Sequence, residues 1–458
     1  MRARFSFARV IEMLEPSGLQ ITRSVLANIA ATILICRTET LILRSDKIAR
    51  TESAEFRIKT QNRSVSLIHP QTFPMSLVRP VLTLLLANSL LASLALSSPM
   101  EASQEIRSAD PTISSETRAL LLNLHRIGWD PDKIMFGQEF PLTFDRSMAG
   151  ITDPTTSDVK DVVGDHPGVH GSDFHFLIDK DPHERVAHTI AAKTAYESGA
   201  MVTFDFHWLG KYGGTHDWQE QDGDILYNVV HNDDSNGDVT WFYESLDKVL
   251  RIVNQDLRFP IVFRPFHEMN GNWFWWGSKL KGGPETYRRA YQLLVEYLSE
   301  RTEYILYAWS PDKALALEYY PGDEYVDIVG VDGYGEGNPR IHWFSVEDMV
   351  SLLEELTDFA AEHGKVAAFT ETGYDTWGEI AYHKDQPDWW TRSVLDPILA
   401  SEKARRIAWV LTWINSDWSG PYAPCSDSTE ESKAAFRSFH KNSVTLFQSE
   451  VAAENLYE

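Results

Sequence analysis

The chain is poor in cysteine. Two occur in 458 residues, Cys36 and Cys425, too few for a disulfide framework or a thiolate zinc site, and they leave the redox compartment open. Cations are scarce as well: 42 Lys and Arg stand against 66 Asp and Glu, a formal charge of −24. That balance argues against a nucleic-acid backbone as partner, since phosphates need clustered Lys and Arg. It argues equally against an anionic membrane surface or a polyanionic substrate, so a neutral ligand fits most simply. One apolar run stands out near the N-terminus, Val81–Leu96, short and quickly ended for a membrane span. Arg79 precedes it and the small residues of Ala95-Leu96-Ser97 close it, the layout of a secretory signal peptide over 75–97. A membrane anchor and a core helix are the alternatives. The expected location is secreted or periplasmic. Residues 1–74 carry 11 Lys/Arg against 6 Asp/Glu, opposite in sign to the rest. They read as a doubtful upstream extension, with translation starting at Met75; peptides from upstream of Met75 in the native protein would refute that start.

Residues 98–115 form a polar linker ("SPMEASQEIRSADPTIS"), and 448–458 a C-terminal tail. Between them, over 116–447, there is no Pro/Ser-rich break and no internal repeat, which predicts one domain. Strand-like runs fall at 133–138, 170–177, 200–208, 260–268, 304–310, 326–334, 365–374 and 406–413. Helical patterns separate them, among them 181–199, 283–301 and 345–364. The last opens on Ser345 with Asp348, a capping box, and has Gly364 past its end. Eight strands alternating with helices or long loops predict a parallel sheet, and at eight repeats its natural closure is a (β/α)8 barrel, an α/β fold. An open doubly wound sheet is the alternative, but no Gly-rich phosphate fingerprint follows the first strand.

The strands begin apolar and end polar: Gln138 and Glu139, Asp205 and His207, His267 and Glu268, Ser310 and Asp312, Asp332 and Tyr334, Glu371, Trp413 and Asn415. In a barrel those ends meet at one rim, where active sites form. Glu268 closes the fourth strand and Glu371 the seventh. Two carboxylates across a barrel mouth suit retaining glycoside hydrolysis, one protonating the leaving oxygen and the other attacking the anomeric carbon; opposite roles require opposite environments. Either glutamate read alone is more often an ion-pair partner without chemistry. Trp273, Trp275 and Trp276 follow Glu268 closely, and aromatic faces cover the apolar faces of sugars. Asn270 and Asn272 are candidates for hydroxyl contacts. The adjacent pair Trp275-Trp276 must point in different directions, which makes at least one of them a packing residue.

At these residues a family resemblance emerges. "RPFHEMNGNWFWWG" (264–277) resembles the acid/base motif of glycoside hydrolase family 26, whose best-known members are endo-β-1,4-mannanases. "YAWSPD" (307–312), "YPGDEYVDIVGVDGY" (320–334) and "FTETGY" (369–374) resemble further family segments in the expected order, and the likeness runs over about 116–447. The resemblance implies a (β/α)8 barrel and double displacement without cofactor or metal, with Glu268 as acid/base and Glu371 as nucleophile. It also implies His267 beside the acid/base, Trp273 and Trp413 lining sugar subsites, Tyr334 bonded to the nucleophile and His207 on the sugar at the cleavage point. Asp327 and Asp332 match the family's strand-six aspartates, and Asn272 and Asp332 join the candidate binding residues. Some mannanases of the family carry Arg directly after the strand-eight Trp, where this chain has Ile414. That puts a polar contact at a distal subsite, and with it the preferred substrate length, in doubt.

The expected activity is endo-cleavage of β-1,4-mannosidic bonds in mannan, glucomannan or galactomannan. Alternatives within the family are a mixed-linkage β-glucanase and a β-1,3-xylanase. From other classes, a non-catalytic sugar-binding protein would keep the tryptophans but need neither Glu. A metal-dependent amidohydrolase would want His-x-His after strand one, where Gln138 and Glu139 stand. A segment at 231–245 ("HNDDSNGDVTWFYES") follows EF-hand spacing at Asn232, Asp234, Asn236 and Gly237, but Tyr243 occupies the closing position. An acidic turn before a helix near Thr240 is the plainer reading. Oligomeric state is not set by the sequence.

Overall fold

Eight short parallel strands close on one another in sequence order. They are β1 (Ile134–Glu139), β2 (Val169–Asp173), β3 (Met201–Asp205), β4 (Ile261–Arg264), β5 (Ile305–Trp309), β6 (Ile328–Asp332), β7 (Val366–Thr372) and β8 (Trp409–Thr412). Each pairs with the next, and β8 pairs back with β1, Trp409 opposite Met135. With helices between the strands this is a (β/α)8 barrel, as expected. A two-residue strand, β9 (Thr445–Leu446), adds to β1 beyond the closure. The structure is a computed structural model that describes residues 57–60, 63–66, 106–144, 153–335, 345–374, 386–416 and 421–458. The chain divides into two units, Met1–Ser98 and Pro99–Glu458. In the first, Arg57–Thr60 pairs antiparallel with Arg63–Ser66; the rest of the expected extension and the whole of 75–97 lie outside the described residues. Among those described, no helix is long and apolar enough to cross a membrane.

Every strand is buried along its length. Both faces are therefore apolar, and alternation separates an inner set from an outer one. Inside lie Met135, Val169, Met201, Val262, Leu306, Ile328, Val366 and Leu411. Outside, Phe136, Val202, Phe263, Tyr307, Val329, Phe369 and Val410 meet the surrounding helices.

The inner set is capped at the N-terminal ends of the strands by α1 (Ser115–Trp129), a helix not anticipated from the sequence. Ser114 caps it, accepting the Thr117 N–H at 3.1 Å. Leu120, Leu121, Leu124 and Ile127 bury against the inner cluster, and the Thr117 hydroxyl donates to Glu303 O at 2.7 Å. Leu124 is fully buried. Leu124→Ala will therefore cost about 2–5 kcal/mol of stability, the usual range for opening a core cavity. A lower urea midpoint with unchanged specific activity of the folded fraction is the expected result.

Two expected boundaries move. The stretch read as linker over 98–115 is docked from Ala109 onward: Ala109 N–H donates to Asp327 Oδ1 at 2.7 Å, and Ile113 is buried. Asp327 also accepts the Tyr307 N–H at 2.8 Å, so it ties the barrel floor together, far from the strand ends that carry the site. The stretch read as a tail is also part of the domain. Val451 and Leu456 are buried on the floor, Tyr457 OH donates to Ala200 O at 2.9 Å, and Glu454 pairs with Lys133 and Arg126 at 2.7 Å each.

The expected helices stand as α3 (Pro182–Glu197), α5 (Gly283–Ser299) and α6 (Val346–His363), the last with its Ser345–Asp348 capping box. The second strand ends early. Asp173 accepts the His175 N–H at 2.7 Å and starts a short helix, α2 (Phe174–Ile178), where continued strand was expected. The 231–245 segment leads into α4 (Asp238–Arg251), a little before Thr240. Asp234 takes the Thr240 N–H and hydroxyl at 3.0 and 2.6 Å, and Asp238 takes Asn228, Lys211 and Tyr212. Those carboxylates fasten a turn.

Candidate active site

One inward polar group from nearly every strand end forms a layer at the C-terminal mouth: Glu139, Asp173, Asp205, Arg264, Asp332 and Glu371, with Ser310 just after β5. Arg264 is its hub. Its guanidinium donates to Asp332 Oδ2 at 2.7 Å, Glu371 Oε2 at 2.8 Å, Ser310 Oγ at 3.2 Å and Asp205 Oδ2 at 3.3 Å. All four side chains are buried. An always-charged planar fork can serve several carboxylates at once, which Lys cannot. Glu139 packs into the space over Gly171, where an added Cβ would lie 2.3 Å from its carboxyl group. Burial first, and then the Asp205 charge, push Glu139 well above the usual carboxylate range.

Glu371 faces inward because β7 carries a bulge. Phe369 pairs with Val331 but Glu371 with Asp332, and on the other side Phe369 pairs with Val410 and Thr372 with Thr412. Thr370 and Glu371 thus share one position of each neighbouring strand. Both point into the barrel: Thr370 Oγ1 donates to Asp332 Oδ1 at 2.6 Å while Glu371 meets Arg264. Simple alternation would have sent one of them outward. The second Glu371 oxygen accepts the Tyr334 hydroxyl. Both oxygens of Glu371 therefore accept hydrogen bonds, one of them from a guanidinium.

Glu268 sits just beyond β4 with φ +53°. That backbone conformation costs roughly 1–2 kcal/mol for a residue with a Cβ. It is held by the Glu268 N–H to Ser310 O bond at 2.8 Å and the Gly271 N–H to Glu268 O bond at 2.9 Å. Its carboxylate accepts the Trp273 indole N–H at 2.7 Å. Burial first, then the charges of Glu371 and Asp332, raise it well above the ordinary carboxylate range, against the lowering effect of the indole bond. Gly271 leaves room for the Trp273 ring, 2.4 Å from where a Cβ would stand.

The expected sugar-facing residues divide. Trp273 is 38% exposed and Asn272 is exposed beside it. Trp413 is partly buried, its ring 5.6 Å from that of His207. Trp275 and Trp276 are both fully buried, their indoles donating to Trp208 O and His267 O at 2.6 and 2.8 Å. The wall beside Glu268 is therefore one tryptophan, and the other two are packing residues. Asn270 is bound in both directions to the Asp312 backbone, at 2.7 and 2.8 Å. Asp332, expected among the binding residues, is fully buried, and Arg264 and Thr370 engage its two oxygens. It holds Arg264 rather than facing the cleft. His267 is 1% exposed with Nδ1 unpartnered; burial, then Arg264 and His207, keep it well below the usual imidazole range. It lies under the cleft. Ile414 is buried, so its side chain offers no contact in the cleft.

Asp173, Ser310 and Glu139 belong to the site without having been singled out for it. The polar strand ends pointed to Ser310 and Glu139, whereas Asp173 was hidden inside a strand drawn too long. Among the described residues, Asp205, His207 and His267 bring potential metal-binding atoms within 4.8 Å of one another. The Arg264 guanidinium already lies 3.3 Å from Asp205. A divalent cation there would face that fixed positive charge, so the donor set does not suit one.

A closed parallel barrel with two carboxylates at its C-terminal mouth and an exposed tryptophan over one of them defines the class: a barrel with a glycosidase-type cleft. The chain belongs to glycosyl hydrolase family 26, whose family model matches residues 109–384. A mannan endo-1,4-beta-mannosidase of Bifidobacterium adolescentis is 27% identical over 370 residues, 74% of this chain and 35% of that protein. The catalytic domain of a family 26 endo-β-1,4-mannanase from Bacillus sp. JAMB-750 superposes with a TM-score of 0.67 at 27% identity, over 78% of this chain and 98% of that one. An endo-β-1,4-mannanase from Cellulomonas fimi superposes with a TM-score of 0.65 at 29% identity, over 75% of this chain and 78% of that one. The match spans about a third of the length of the first curated relatives.

Proposed function

We propose that the protein is a retaining endo-glycosidase that cleaves β-1,4-mannosidic bonds in mannan, glucomannan or galactomannan. The observation that carries the reading is the pair at the mouth: Glu268 raised by burial, and Glu371 taking donors on both oxygens. Those are the opposite environments that acid and nucleophile require. Glu371 attacks the anomeric carbon while Glu268 passes its proton to the leaving oxygen, giving a glycosyl ester and a shortened chain. Water then enters, Glu268 takes its proton, and the ester breaks with the starting anomeric configuration restored. Trp273 and Trp413 supply faces for sugar rings, Asn272 meets hydroxyls and His207 donates to the sugar at the cleavage point. The choice of mannan follows the names of the relatives. Product analysis on mannan, lichenan and β-1,3-xylan tests it; cleavage of lichenan alone would make the enzyme a mixed-linkage glucanase. The signal-peptide layout at 75–97 and a polymeric substrate support a secreted or periplasmic location.

The Trp273 indole stabilises ionised Glu268, so losing it must raise the acid further. A hydrogen bond to a charged group contributes about 1.5–3 kcal/mol, on the order of one pH unit or more. Trp273→Phe will therefore shift the alkaline limb of kcat/KM upward by about one pH unit, because the acid stays protonated longer. An unmoved or lowered limb would assign that limb to another group.

A further inference from the structure

His207 follows β3 with Nδ1 2.9 Å from Asp173 Oδ2, and its backbone N–H donates to Asp173 Oδ1 at 3.2 Å. Asp205 Oδ2 lies 3.7 Å from the same ring nitrogen. Asp173 is itself fixed, because its carboxylate also caps α2 through the His175 N–H. Both carboxylates are nearly inaccessible, at 3% and 0%, while the imidazole is 13% exposed. Nδ1 is taken up behind the ring, so Nε2 is the nitrogen left for the cleft. The ring has titratable neighbours on every side. Asp173 comes from β2 and Asp205 from β3. His216, 5.0 Å between ring centroids, comes from the loop after β3, and His267, at 4.8 Å, from beyond β4. Glu371 acts from across the barrel. Phe274 and Trp413 close the apolar sides at 5.4 and 5.6 Å.

We infer that Asp173 is a positioning residue. Backed by Asp205, it holds His207 in one orientation and as a cation, so that Nε2–H gives a charge-assisted hydrogen bond to a hydroxyl of the sugar held against Glu371. This rests on the reading that a sugar occupies the cleft. The surroundings agree. Burial alone would lower His207, but Asp205 and Asp173 outweigh it and push the ring up to about 9. Burial and the charge on His207 hold His216 down to about 4, and His267 is lowered well below its usual range. The one raised ring thus stands beside two that are held low.

The test is an NMR titration of His207 in the full chain, alongside KM and kcat across pH 5–9. In the parent protein the ring should stay protonated through pH 8. In Asp173→Asn, whose amide keeps the cap but not the charge, it should lose its proton at least about one pH unit lower. KM should then rise about ten-fold above the new midpoint, with kcat changed far less, since a charged donor exceeds a neutral one by about one factor of ten in binding. His207→Gln should show a raised KM with no such midpoint. A parent ring that titrates below 7 overturns the inference, even if the Asn variant does not fold. So does an Asn variant whose ring and KM profile match the parent, or a metal ion found bound at His207. If His207 follows Asp173 as described but no β-glycan is cleaved, the functional reading fails and the clamp stands.

Discussion

Glu371→Ala will lower kcat/KM on mannan by roughly four to six orders of magnitude, the scale on which loss of an essential nucleophile acts. Glu268→Ala will fall comparably on mannan but not on an aryl mannoside with a good leaving group. Such a leaving group departs without a proton, so the first step survives and the glycosyl ester accumulates, visible as a burst of aryl alcohol. Glu371→Ala offers no route to that ester and shows no burst on either substrate. Equal losses by the two variants on the aryl substrate would count against the assignment of roles. The side chains Glu371 touches add a control. Tyr334→Phe removes one of its two donors and leaves Arg264 in place, so its effect should be far smaller than that of Glu371→Ala.

Arg264→Met will be the most destabilising single change at the site. The guanidinium is the shared donor of Asp205, Asp332 and Glu371. Breaking a buried pair from one side costs about 3–5 kcal/mol, because the remaining charge is left uncompensated. The penalty has a pH sign. Asp205 already stands at about 8 and Asp332 well above its normal range, burial being the main cause; His207 and then Arg264 oppose it at Asp205, and Arg264 at Asp332. Without Arg264 both rise further. Folding then takes up protons, and the variant loses stability as pH climbs from the ordinary carboxylate range towards that raised value. The parent shares that loss up to about pH 8, so urea midpoints should show a deficit against it that grows from about pH 7 to about pH 9; a deficit independent of pH would remove electrostatics as its cause. Arg264→Lys keeps the charge but not the fork, and should recover part of the stability and little of the activity.

The barrel was legible because its strands are wholly buried and its loops polar. Eight runs such as "PIVFRPFHE" and "AMVTFDFHW" are too short for helices and end in hydrophilic groups. Glu268 and Glu371 were legible for the same reason, as carboxylates at apolar strand ends. The misses have physical causes. Of Trp275 and Trp276 the sequence made at least one a packing residue, and only three-dimensional packing shows that both are buried. Asp332 is a carboxyl group that sequence reading turns towards the cleft, yet Arg264 draws it into the barrel. The β7 bulge left no mark in "AAFTETGY", although without it strict alternation could not aim both Thr370 and Glu371 inward. Ile113, Val451 and Leu456 are single apolar residues in polar surroundings, too sparse to suggest that their segments dock.

Those docked segments set how the protein can be carried. The entry into α1 and the last residues of the chain lie together on the floor, where the Asn123 amide bonds Leu456 O at 3.0 Å and the Arg126 guanidinium reaches Glu454. The cleft opens at the opposite end of the barrel. A tether from Glu458 to a bead, a cell wall or a second module would leave the mouth facing outward, free to ride along a polymer while the anchor trails behind.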